Sequence, residues 1–148
     1  MKKIVFLFVA IVSMHAAEQP EYLTLEDDVE LHAQIIRDLN QTLDKTRSEL
    51  STMKIWMIIN KNDKVEMYCG KVNSKPVYTI TDIHNPDYDT LTQVIKQCFE
   101  NNKFTDKKRA IALHLINRYI ITRQSIEKAE NTLADLKRYK KSLWHPNT

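Results

Sequence analysis

Acid–base chemistry needs paired titratable groups, and this chain offers three sets. Glu26 and Glu30 stand four residues apart, so on a helix they share a face, as two carboxylates must to act as general acid and general base on a glycosidic bond. Asp28 and His32 have the same spacing and make a helix-surface pair. Asp82 and His84, close to Asp87 and Asp89, carry the donor types of a metal ligand set or a general base, but they fall where a solvated turn is expected. His15, His114 and His145 complete no HExxH pattern and no known metal-loop spacing, so neither a metal nor any other cofactor is expected. A single glycine among 148 residues excludes the glycine-rich loops that cradle phosphates and dinucleotides. Ser13 and Ser142 are poor nucleophile candidates, one near the N-terminus and one near a helix end. Catalysis is therefore the secondary expectation, in the form of a small hydrolase of an envelope polymer using the paired carboxylates.

Cys69 and Cys98 are the only cysteines. Their spacing fits neither a CxxC redox pair nor a four-ligand zinc site, and in an oxidising compartment they are expected to join as a disulfide. Export is what the N-terminus implies. Met1, Lys2 and Lys3 give a positive start, Ile4 to Val12 form an uninterrupted apolar run, and Ser13 to Ala17 bring small residues near a cut after Ala16. The run is short for a membrane span, so residues 1–16 read as a signal peptide, and the expected destination is the periplasm or the outside of the cell.

Basic residues form the main candidate binding set. The full chain has 22 basic and 19 acidic residues, but residues 17–100 carry 15 acidic and 9 basic side chains against 4 and 11 in residues 101–148. Arg118, Arg123, Lys128, Arg138 and Lys141, with Trp144 at the end of the same segment, are the candidate partner-binding residues. Trp56, Tyr68, Tyr78 and Tyr139 serve either as core or as aromatic anchors. Asn40-Gln41-Thr42 matches a glycosylation acceptor. With acidic and basic segments able to screen each other, no nucleic-acid partner is expected, and membrane contact is at most peripheral.

These residues must be positioned by a few elements. Following a loose segment 17–23, Thr24 looks like a helix cap, with Glu26, Asp27 and Asp28 where the helix dipole favours negative charge. Val29, Ile35, Ile36, Leu39, Leu43 and Leu50 then recur mostly at three, four and seven residues, which predicts one long amphipathic helix. Its continuation through Met53, Trp56 and Met57 to about Ile59 is the favoured reading, a buried strand over Ile55–Ile59 the alternative. Val65–Cys69 and Val77–Ile80 alternate as the strands of a hairpin, or of three strands if Ile55–Ile59 joins. Asn85 as cap and Pro86 at the first helical position predict a short helix carrying Leu91, Val94, Ile95, Cys98 and Phe99 inward and ending near Asn101-Asn102. Thr105 or Asp106 starts the last helix, whose stripe runs from Ile111 through Leu115, Tyr119, Ile126, Leu133, Leu136 and Tyr139 to Leu143, before Pro146.

The expected fold is mainly α: an elongated antiparallel pair of long helices with one short helix and a small disulfide-stapled β-hairpin near residues 64–81, in one domain over residues 17–148. Long amphipathic stripes in a small chain invite a partner. The leading functional expectation is an exported protein–protein interaction module with coiled-coil character. It would be an accessory subunit of an envelope or secretion assembly, or an inhibitor or immunity protein, binding another envelope or secreted protein or a copy of itself. A carrier of a lipid or other hydrophobic ligand is a third class.

Overall fold

The computed structural model describes residues 21–70 and 75–144. The signal peptide read in residues 1–16 lies outside the described residues. Helix α1 spans Glu21–Thr52. It is already helical three residues before Thr24, so Thr24 does not cap it and residues 21–23 are not loose; the Thr24 hydroxyl is buried with no hydrogen-bond partner among the described residues. Leu25, Leu39, Leu43 and Leu50 are its buried apolar residues.

The predicted continuation of α1 to Ile59 does not occur. Met53 and Lys54 donate to the carbonyls of Leu50 and Ser51 (2.9 and 3.0 Å), tightening the last turn, and Lys54 takes the left-handed conformation at φ 61°. The chain reverses there into strand β1, Ile55–Ile59. A branched run with alternate residues buried suits a strand: Ile55 and Met57 are fully buried, whereas Trp56 and Ile58 are half-buried on the other face.

A tight turn leads to β2, Val65–Cys69. Asn60 Oδ1 accepts from the amides of Asn62 and Lys64 (2.9 and 3.0 Å), and Asp63 takes the left-handed conformation at φ 59°. Strand β3, Tyr78–Ile80, completes an antiparallel sheet of order β1-β2-β3, with Met57 opposite Met67 and Val65 opposite Ile80. Val65, Met67 and Ile80 join Ile55 and Met57 in the core.

Helix α2, Tyr88–Asn101, starts later than predicted. Its cap is Asp87 and not Asn85, because Asn85 is engaged upstream, donating its amide to the Asp82 carbonyl (3.1 Å). Asp87 has extended backbone and accepts from Thr90 N (3.2 Å) and the Thr90 hydroxyl (2.7 Å). Leu91, Ile95, Cys98 and Phe99 are buried, and Asn102 closes the helix, followed by left-handed Lys103 (φ 55°). Cys98 is joined to Cys69, so the disulfide fastens α2 to the sheet.

Helix α3, Asp106–Trp144, is capped by Thr105, whose Oγ1 accepts from Lys108 N (3.2 Å). Ala112, Leu115, Ile116, Tyr119, Ile120 and Ile126 are buried. Ile111, placed on the stripe by spacing, instead points outward at 44% exposure while Ala112 takes the inward position. The chain falls into two compact units: one runs up to Leu39 and resumes at Ile126, the other is Asn40–Ser125. Both long helices run through both units. In the first, Lys140 Nζ meets Glu26 at 3.3 Å, and in the second Arg118 Nη2 meets Glu49 at 3.2 Å, the pairing of an antiparallel helix pair.

The disulfide spans a sequence separation of 29, and constraining that loop in the unfolded chain is worth about 2–4 kcal/mol. Urea denaturation with and without reductant should show a loss of that size, and equal midpoints would contradict it. Hydrogen bonds from the Thr90 hydroxyl and amide hold the Asp87 carboxyl below its usual value. Its contribution to stability is therefore full above the unfolded-state pKa and disappears as pH falls through the lowered folded-state value. Asp87→Ala should lower the thermal midpoint at neutral pH and flatten this acid limb, read by circular dichroism at stepped pH.

Candidate interaction surface

The basic candidates have different roles. Arg118 turns inward: its Nε donates to Thr46 Oγ1 at 2.7 Å, and Thr46 in turn donates to the Thr42 carbonyl at 2.7 Å. Its Nη2 makes an ion pair with Glu49, at an angle too poor for a hydrogen bond. Thr46 is fully buried, so Arg118 fixes the level of α3 against α1 within this unit. Arg123, also in this unit, is half-buried. In the other unit, Lys128 and Lys141 are exposed, Arg138 pairs with Asp135 one turn away, and the Trp144 side chain lies outside the described residues.

Beside Arg118, the fully buried Tyr119 has a hydroxyl with no hydrogen-bond partner among the described residues, as has Thr122. Burial pushes the Tyr119 phenol up, Arg47 and Arg123 oppose this, and Asp44 adds to it. These polar atoms escaped the sequence reading because threonine and tyrosine fit an apolar stripe by size.

Both members of the carboxylate pair are drawn to cations. Glu26 meets Lys140, and Glu30 lies 3.5 Å from Arg37 Nη2. His32 Nδ1 donates to the Asp28 main-chain carbonyl (2.9 Å), a contact local to the helix. Asp82 Oδ1 accepts the His84 amide (3.0 Å), forming a turn, and Asp87 caps α2. Among the described residues, no three His, Cys, Asp or Glu side chains come together as metal ligands. No described helix is long and apolar enough to cross a membrane.

Concavities lined by described residues of the Asn40–Ser125 unit include two beside α1. One, of about 340 Å³, is an open groove between α1 and β1 lined by Asp44, Arg47, Ser48, Ser51, Trp56, Met57 and Ile58. A smaller one, about 210 Å³, lies between the end of α1 and the start of α3, against Met53, Asn102 and Phe104. The groove exists only because Ile55–Ile59 is a strand and not a continuation of α1. Glu26 and Glu30 line neither.

In the unit of the outer helix halves, the apolar residues are less covered. Leu25 and Ile126 are buried, but Val29, Leu31, Ile35, Ile36, Leu133 and Leu136 are half-buried, and Tyr139 and Leu143 are 47% and 38% exposed. The same half of α3 carries the exposed Lys128 and Lys141. No protein-family model matches this chain, and neither a curated protein nor a solved structure matches it.

Arg118→Ala removes the donor to the buried Thr46 hydroxyl and the cation beside part-exposed Glu49, and should cost about 1 kcal/mol in urea denaturation. Tyr119→Phe removes a buried, unpartnered hydroxyl while keeping the ring, and should leave the unfolding midpoint unchanged or raise it. A fall in that midpoint would reveal a partner for the hydroxyl.

Proposed function

We propose that this chain is an exported protein–protein interaction module, acting as an accessory subunit of an envelope or secretion assembly or as an inhibitor or immunity protein. The observation that carries this reading is the incompletely covered apolar surface on the outer halves of α1 and α3, beside exposed lysines. Side chains left half-covered within one molecule gain most from a second surface, and rim charges select which surface that is. Binding is noncovalent, with Tyr139 and Leu143 as anchors and Lys128 at the rim; Lys141 lies on the opposite side of α3, and Arg118 belongs to the frame and not to the docking set.

The long helices support a coiled-coil reading. Leu25, Val29, His32, Ile36, Leu39, Leu43, Thr46 and Leu50 alternate in steps of four and three, as do Tyr119, Thr122, Ile126, Ala129, Leu133, Leu136, Lys140 and Leu143. The disulfide suits an oxidising compartment, in agreement with the charged start and apolar run of residues 1–12.

The test is crosslinking of the C-terminally tagged chain in its native host, with partners read by mass spectrometry. A discrete partner at fixed ratio is expected, and Lys128→Glu should reduce its recovery about tenfold, equivalent to roughly 1.4 kcal/mol, and Lys141→Glu, on the opposite side of α3, by less, with the helical signal unchanged. Absence of any crosslinked species, or recovery indifferent to both substitutions, would sink the proposal.

A further inference from the structure

The unit of the outer helix halves has two unlike broad faces. Leu25, His32 and Leu39 on α1 and Ile126, Leu133 and Lys140 on α3 make the rows turned toward the neighbouring helix. At about 100° per residue, Leu31 and Ile35 on α1 and Thr132 and Tyr139 on α3 lie roughly a quarter turn to the same rotational side of those rows. Viewed from one end, antiparallel helices have opposite rotational senses, so the same offset places both sets on one broad face. Turning the other way gives Val29, Ala33 and Ile36 on α1, with Glu26 and Arg37 at their outer edge, against Glu130, Lys137 and Lys141 on α3, so the faces differ chiefly on α3, where this one is charged.

Charge decides what covers the first face. From Glu21 to Leu39, α1 carries six acidic residues and one basic; from Ile126 to Trp144, α3 carries five basic and three acidic. The Glu26–Lys140 pair sets the level of the helices, and counting twelve residues along each from that pair brings Asp38 level with Lys128, both on the outer edges of the same face. A second copy related by a twofold axis along the helices would lay α1 on the other copy's α3, with Asp38 opposite Lys128 in both halves of the contact. A twofold across the helices would instead set acidic α1 on acidic α1. We infer that this face is covered by a second copy of the chain, giving an antiparallel four-helix arrangement in which each acidic helix lies between two basic ones. The inference rests on the interaction role proposed above and names its partner.

The test uses the full chain after export, in analytical ultracentrifugation across a concentration series. A dimer is expected. Asp38→Lys and Lys128→Glu should each raise its dissociation constant at least tenfold, and the double charge swap should restore it. Tyr139→Glu should give a monomer whose helical signal is retained. A chain that stays monomeric at every concentration overturns the inference, as does a dimer indifferent to both charge substitutions. A monomer that still crosslinks to a different protein through Lys128 would overturn the second copy while leaving the interaction role standing; a monomer with no crosslinked partner removes both.

Discussion

Two helices packed side by side can each turn only one stripe toward the other, and the distribution of the core follows from that limit. Where the pair has further cover, from the sheet and α2, burial is complete: Leu50, Ile55, Met57, Met67, Ile116 and Tyr119 all have essentially no exposed surface. In the unit of the outer halves, only the rows in contact reach comparable burial, at Leu25, Leu39 and Ile126. Apolar residues to either side remain half-covered however well the helices are packed. The chain therefore carries a stable core and an unfinished one on the same pair of helices.

Polar residues inside the pair add specificity of level. An apolar seam tolerates sliding by a turn, because leucine and isoleucine fit many holes, whereas Arg118 has one place where Thr46 and Glu49 are both in reach. Such a pin disfavours wrong pairings more than it strengthens the right one, since the guanidinium is partly desolvated when it forms. Tyr119 and Thr122, buried next to it with hydroxyls unpaired among the described residues, are the accompanying cost.

Periodicity made most of the fold legible. The two long helices, the inward face of α2 and the pairing of Cys69 with Cys98 follow from spacing and cysteine number. The boundaries did not, for a specific reason. Helix ends are usually signalled by glycine, and here the left-handed positions after α1 and α2 are Lys54 and Lys103, which look like ordinary helix-surface residues. The end of α1 at Thr52 thus carries no sequence signal, which leaves β1 only as the alternative to a continuing helix. At α2 two caps competed within three residues, and Asp87 prevailed because Thr90 supplies both an amide and a hydroxyl to it. The candidate surface was half legible: the basic residues were visible, but their division into one inward pin and several outward charges depends on contacts such as Arg118 with Thr46, 72 residues apart.

The disulfide also gives the chain a ring. Cys69 and Cys98 close a covalent loop that holds β3 and most of α2, while α1 and β1 leave it on one side and α3 on the other. Any cut between the two cysteines opens the ring without separating the polypeptide, so the two long helices stay in one covalent molecule. A cut outside the ring, in α1 or α3 or between β1 and β2, releases a fragment at once. While the disulfide is intact, the segment between the two cysteines can be nicked and both long helices stay in one covalent molecule.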